Sequence, residues 1–348
     1  MKYFLLISAL LCTSLVFSQT IRRVNPTSGV SGVNVYATFD AAYAAAVDGD
    51  IIQLEPSNSA NYDAIVIGKK LTIIGIGYNL ASNTNTFFDK RTPKINYLTL
   101  AKGSSGSVIM GLEITSIVNI LDSKIKIQRC KIGQIYVDPT SFGITSNDDI
   151  SGTILSQNLF TGPVNLKNWA TWVGPNKSSG HIIINNIFSG DGAFLTGIAE
   201  STISYNTFYT KSSVLRASGG CNFTNNIIDA RGATTGFTVV GTDATAQIAN
   251  NLCSTVGGLP SGSGNVNSAN ATSIFTVADP WTAFLETNVQ LSATSPARTV
   301  GVGSTPIGAY ASTSPYIPSG VPNTPVITSF SVNGVTPLNV SFTIRSSN

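Results

Sequence analysis

The sequence predicts an all-β fold: a single-stranded, right-handed parallel β-helix closed at its N-terminal end by one short capping helix. Three observations predict it. A motif recurs with Asn at its centre, two apolar columns flank that Asn, and the composition is rich in Gly, Ser, Thr and Asn. Only 11% of the 348 residues are charged, so polar groups must be satisfied by backbone ladders and side-chain hydrogen bonds rather than by ion pairs. Thirty-two glycines imply many turns, and a chain of this length buries a core that needs no staples.

The chain opens with Lys2 and an apolar run over residues 3–11, followed by Val16-Phe17-Ser18. That run is too short for a bilayer, and the pattern is that of a secretory signal peptide over residues 1–18. Cys12 follows Leu11, where a lipoprotein cysteine would follow a small residue. The expected product starts near Gln19, is secreted or displayed at the cell surface, and has no membrane insertion. Losing Lys2 lowers the formal charge from +3 to +2 (3 − 1), and no basic run of five residues exists, which excludes nucleic acid as a partner. Three cysteines remain, Cys130, Cys221 and Cys253. An odd count without C-x-x-C predicts buried thiols rather than a disulfide framework or a zinc site.

The first predicted element is a helix. Thr38-Phe39-Asp40 caps residues 41–47, and Asp48-Gly49-Asp50 stops them. A helix there covers the first coil, whose open end would otherwise recruit another chain.

The repeat follows. Ile154-Leu-Ser-Gln-Asn158-Leu-Phe160 aligns with Ile182-Ile-Ile-Asn-Asn186-Ile-Phe188 and with Thr202-Ile-Ser-Tyr-Asn206-Thr-Phe208. Asn222-Phe-Thr-Asn-Asn226-Ile-Ile228 and Gln247-Ile-Ala-Asn-Asn251-Leu-Cys253 also fit, while residues 109–114 and 127–132 carry Leu112 and Cys130 at the Asn position. Three residues before the marker stand Ile109, Ile127, Leu155, Ile183, Ile203, Phe223 and Ile248. Two after it stand Ile114, Ile132, Phe160, Phe188, Phe208, Ile228 and Cys253. Columns five positions apart cannot both face inward on one straight strand of period two, so a bend lies between them. Asn tolerates the left-handed conformation of a tight bend, and stacked amides hydrogen-bond from coil to coil. Marker spacings of 18, 28, 28, 20, 20 and 25 residues are those of a β-solenoid.

Phe39, Ala41-Ala42, Ala45, Asp48-Gly49-Asp50-Ile51-Ile52-Gln53-Leu54, Tyr62 and Lys70-Leu71-Thr72-Ile73-Ile74-Gly75 resemble the opening of pectate-lyase-like β-helix proteins. Ser295-Pro296-Ala297-Arg298, Gly301 and Pro306-Ile307-Gly308-Ala309-Tyr310 resemble their closing segment. The resemblance implies a β-helix over residues 19–311 and leaves activity open, because that superfamily includes lyases, hydrolases, epimerases, adhesins and tailspikes.

Residues 312–325, rich in Ser, Pro, Thr and Gly, read as a linker. Residues 326–348 alternate like two strands, and Gly334, Pro337-Leu338-Asn339-Val340-Ser341-Phe342-Thr343 resembles the start of an Ig-like or polycystic-kidney-disease-type sandwich. The expectation is a fragment of such a domain, or a capping hairpin.

Chemistry is expected where coils of equal length stack charges. Five residues after the marker stand Asp191, Lys211 and Arg231, with Arg216 and Asp229 close in sequence. β-Elimination of a uronate needs a base and a cation beside the carboxylate. Lys211, Arg231 and Arg216 are the candidate catalytic residues, and Asp191 with Asp229 the candidate calcium ligands. The bland reading is an exposed charge ladder that guards the wall against aggregation. Lys167, Trp169 and Trp172 lie in one long coil and suit stacking on sugar rings, or packing on the wall. His181, the only histidine, opens a strand, and a structural role is expected. Two functions follow: a monomeric, carbohydrate-active protein that binds a polysaccharide along its side and cleaves it as a lyase if it cleaves at all, or a non-catalytic adhesive or structural module of a larger secreted protein.

Overall fold

The computed structural model describes residues 19–27, 29–56, 62–83, 89–136, 150–166, 178–190, 195–196, 200–209, 214–217, 220–231, 238–241, 245–322, 325–334 and 336–345. Two long sheets, both parallel throughout, account for most of the regular structure. Each successive coil adds one strand to each of them. The first sheet runs from Ile21–Val24 and Ile51–Leu54 through Lys126–Gln128, Ile154–Ser156 and Ile182–Ile184 to Gln247–Ala249. The second runs from Ala64–Ile67 and Lys94–Leu100 through Glu113–Ile120 and Lys131–Tyr136 to Leu252–Cys253. Consecutive strands pair in register along the motif: Leu155 faces Ile183 and Ile183 faces Ile203 in one sheet, while Phe160 faces Phe188 and Phe188 faces Phe208 in the other.

Both apolar columns lie in one core. Ile109, Ile127, Leu155, Ile183, Ile203 and Phe223 share a buried cluster with Ile114, Ile132, Phe160, Phe188, Phe208 and Ile228. Phe160, Phe188 and Phe208 stack at centroid distances of 4.8 and 4.4 Å, a geometry worth about 0.5–1.5 kcal/mol per pair beyond the area buried.

The marker asparagines form a continuous buried ladder. The Asn158 Nδ2 donates to Asn186 Oδ1 (3.1 Å), Asn186 to Asn206 (3.0 Å), Asn206 to Asn226 (3.0 Å) and Asn226 to Asn251 (3.1 Å). Each Oδ1 also accepts the backbone N–H of the preceding marker, beginning at Cys130. The left-handed residue of the bend is not the marker, as expected from sequence, but its predecessor. Arg129, Gln157, Asn185, Tyr205, Asn225 and Asn250 all have φ between +53° and +58°, and Gly111 has +67°. The marker is thereby free to turn its amide inward.

Helix α1 (Phe39–Ala45) closes the N-terminal end. Thr38 Oγ1 accepts the Ala41 N–H, and Phe39, Ala42 and Ala46 pack into the core beside Val24 and Ile52. The chain turns back at Asp50. Burial works against that carboxylate, but N–H bonds from Val47 and Thr20 and the Arg22 guanidinium hold it below its ordinary range.

The C-terminal segment returns along the bend. Gly308 N–H donates to Asn225 O, and Asn185 Nδ2 to the carbonyls of Ala309 and Ala311. Gln157 Nε2 donates to Pro315 O, Arg129 Nη1 to Val321 O, and Tyr78 N–H to Ser319 O. Residues 312–322, read from sequence as linker, are thus part of a strap. Their serines and prolines leave carbonyls unpaired within the segment, and the side chains at the left-handed positions bind them. The strap covers outward-facing Leu159, Ile187, Ile227 and Leu252 with Ile307, Ala309 and Tyr316. Beyond it, Val326–Asn333 and Asn339–Arg345 pair antiparallel. The hairpin exposes Phe330, Val332, Val340 and Phe342.

Candidate functional site

Asp229 ends the strand Ile227–Asp229 and is fully buried. Its carboxylate accepts from Arg231 Nε at 2.9–3.0 Å and from Trp281 Nε1 at 2.8 Å, with Arg231 Nη2 at 2.6 Å. The remaining guanidinium donors go to the carbonyls of Ala278 and Ala271. Trp281 stacks on Tyr209 at 4.4 Å and on Phe284 at 5.5 Å. Asp229, Arg231 and Trp281 therefore tie the coil to the C-terminal segment. A guanidinium so engaged does not deprotonate, and four of its five N–H donors are already taken by Asp229 and the two carbonyls. A cation at Asp229 would have to displace Arg231, so this carboxylate does not fit calcium. Among the described residues no three His, Cys, Asp or Glu side chains gather around one point.

Arg216 lies in Val214–Ala217, which among the described residues pairs with Thr238–Gly241, the backbone of Arg216 facing Val240. Lys211, Asp191, Lys167, Trp169 and Trp172 lie outside the described residues.

His181 belongs to a second ladder at the start of the first-sheet strands. Its Nδ1 accepts the Thr153 N–H at 3.3 Å, its Nε2 meets Ser178 Oγ at 2.9 Å, and its own N–H donates to Ser201 Oγ at 3.0 Å. The imidazole stands where Ser107 and Ser201 do the same work. Burial pushes it down to about 4, which keeps it neutral. Cys130 and Cys221 are pushed up to about 12 by burial, so neither is a nucleophile near neutrality.

Another buried cluster locks the strap. Glu286 accepts the Ser319 N–H (2.9 Å) and the Asn79 amide (3.2 Å), beside the paired hydroxyls of Tyr78 and Tyr316. Asn79 in turn accepts from Lys131, which bridges to Glu113 at 2.9 Å. Burial pushes Glu286 up to about 7.

The outer face of the second sheet carries an uncharged polar row. Leu98 and Leu100, Val118 and Ile120, Ile135, and Val164 and Leu166 point into the core. Thr99, Asn119, Tyr136 and Asn165 therefore point away from the core, and pairing places them in one row across four coils, although Thr99, Asn119 and Asn165 are themselves buried. Tyr97, Ile117 and Gln134 form the adjacent row. Sequence reasoning missed this wall because it sought charge. The available signal was apolar–polar alternation in Leu98-Thr99-Leu100, Val118-Asn119-Ile120 and Val164-Asn165-Leu166.

Compared with family models, with curated proteins and with solved structures, the chain matches none.

Proposed function

We propose that the protein is a secreted or cell-surface right-handed parallel β-helix that binds an extracellular polysaccharide along its side without cleaving it. Right-handedness is the rule for parallel crossovers and is the reading adopted for these coils. The observation that carries the non-catalytic reading is the Asp229–Arg231–Trp281 clamp. It commits the one proposed base and the one proposed calcium ligand that the described residues contain to holding the C-terminal segment. Low charge and the exposed ring of Tyr97 on the second sheet support a glycan partner, which is recognised by stacking and hydrogen bonds. Lys167, Trp169 and Trp172 are the proposed contacts on the long coil.

Electrophoresis through gels containing neutral glycans or polyuronates tests this reading. Retardation by at least one glycan that is lost in Trp169→Ala or Trp172→Ala supports it, and free migration in all of them overturns it. The exposed apolar face of the terminal hairpin favours a second reading, a structural or adhesive module of a larger secreted protein. That reading predicts free migration in every glycan gel.

A further inference from the structure

Ile127, Leu155, Ile183, Ile203 and Phe223 are the middle residues of first-sheet strands and point into the core, with Ile248 packed against it. The first residue of each of these strands therefore points outward. Pairing sets Lys126, Ile154, Ile182, Thr202, Asn222 and Gln247 in one row along the solenoid. The row is accessible. Ile182 is 42% exposed, Thr202 and Gln247 are exposed, and Lys126, Ile154 and Asn222 are half-buried. Among the described residues, no hydrogen bond uses the side chain of Thr202, Asn222 or Gln247. Elsewhere polar side chains are spent on each other, as Glu113 is on Lys131 and Asp229 on Arg231.

We propose that Ile154, Ile182, Thr202, Asn222 and Gln247 form a binding strip for an uncharged polysaccharide lying along the solenoid axis. This rests on the reading of the protein as a glycan-binding module and adds the strip and the sugar class. Neighbours in the row stand about 4.8 Å apart, close to one sugar unit of an extended chain, so successive coils meet successive sugars. A sugar ring has apolar C–H faces and a polar rim. The two isoleucines offer an aliphatic floor for the first, and the hydroxyl and amides offer donors and acceptors for the second.

Charge decides the class. Lys126, at one end of the row, is its one cation, and the adjacent row, from Gln128 through Ser156 and Ile184 to Ala249, is uncharged. A uronate chain brings one carboxylate per sugar and meets a single ammonium here, whereas a neutral chain needs none. A second copy of the protein suits the row less well. Sealing two flat faces together would strip water from Lys126, Thr202, Asn222 and Gln247 without fixed partners opposite them.

Isothermal titration of the full chain with cellopentaose, xylopentaose, mannopentaose and pentagalacturonate tests the proposal. The expected result is binding of at least one neutral pentasaccharide and none of pentagalacturonate. Asn222→Ala and Gln247→Ala should each weaken it about threefold to tenfold. Thr202→Arg should abolish it by standing a long charged side chain in the row. Because Thr202 is exposed, that variant should keep its melting temperature, which separates binding from folding. Neutral-sugar binding that all three variants leave intact would overturn the strip but keep the wider reading. Preferential binding of pentagalacturonate would overturn the sugar class, and failure to bind any of the four would overturn both. Sedimentation equilibrium of the same samples reads the other occupant. A dimer that Thr202→Arg dissociates would overturn the glycan assignment and make the row an interface between copies.

Discussion

A buried asparagine amide in this chain carries three or four hydrogen bonds at once, which makes the ladder its most sensitive set of residues. Asn206 accepts from the N–H and the Nδ2 of Asn186 and donates to the carbonyls of Ile183 and Ser204. Asn206→Ala leaves two buried donors without an acceptor, at about 1–3 kcal/mol each. Urea denaturation should therefore show a loss of about 3 kcal/mol or more. A loss below 1 kcal/mol would mean that water or a neighbour replaces the amide. Five ladder members were legible in the sequence because stacking requires identical residues at identical offsets. The sixth, Asn265, was not. It accepts from the Asn251 N–H and Nδ2 at 3.0 and 3.1 Å, but only 14 residues separate the two and no apolar frame surrounds it. The left-handed position was misassigned by one residue, since Gln157 and Asn185 look like ordinary strand-end residues until their strap contacts are seen. The Arg231 guanidinium invites reading as a base when only its place in a column is known. Arg231→Ala strands a buried carboxylate, at about 3–5 kcal/mol, and should lower the midpoint of unfolding sharply. An unchanged midpoint would show that the clamp is dispensable.

The strap is the element whose properties depend most on pH. Glu286 is raised from 4.5 to about 7 by burial, so the folded state holds its proton more tightly than the unfolded state. Its contribution is fully present below pH 4.5 and is lost as pH rises towards 7, about 3 kcal/mol in all. His181, lowered from 6.5 to about 4 by burial, acts with the opposite sign: its contribution is present above pH 6.5 and is lost as pH falls towards 4. The two nearly cancel between pH 4.5 and 6.5, so the native protein should show a shallow profile there. Glu286→Gln should uncover the histidine term, giving stability that climbs steadily from pH 4.5 to 6.5. Chemical denaturation at four pH values checks this, and parallel profiles for the two proteins would contradict it. The strap escaped sequence reading because a Ser/Pro-rich segment that hydrogen-bonds through its carbonyls has no periodicity. Its trace lay elsewhere, in the apolar Leu159, Ile187, Ile227 and Leu252 one place after the marker, where the earlier coils carry Glu113 and Lys131. The capping helix was legible because Thr38 and the turn at Asp48-Gly49-Asp50 are local signals.

At the scale of the whole molecule, two parallel sheets share one core, a helix covers one end, and a strap buries the bend. Such a body is stabilised coil by coil, through nearest-neighbour contacts. It presents a long wall whose side chains are free of structural duty wherever they point outward and no segment covers them. Tyr97 occupies such a place, whereas Asp229 does not. Fold was more legible than function because folding repeats its signal in every coil, while a binding strip is written once, in residues that alternate like any strand. The central claim is that this protein binds a polysaccharide and leaves it intact. The most direct test is prolonged incubation of the purified protein with each glycan that retards it in gels, with calcium present, while absorbance from unsaturated products is followed. The account predicts retardation with no rise in absorbance. A rise that disappears in Lys211→Ala, a variant outside the Asp229–Arg231 clamp, would contradict it and make the protein a lyase.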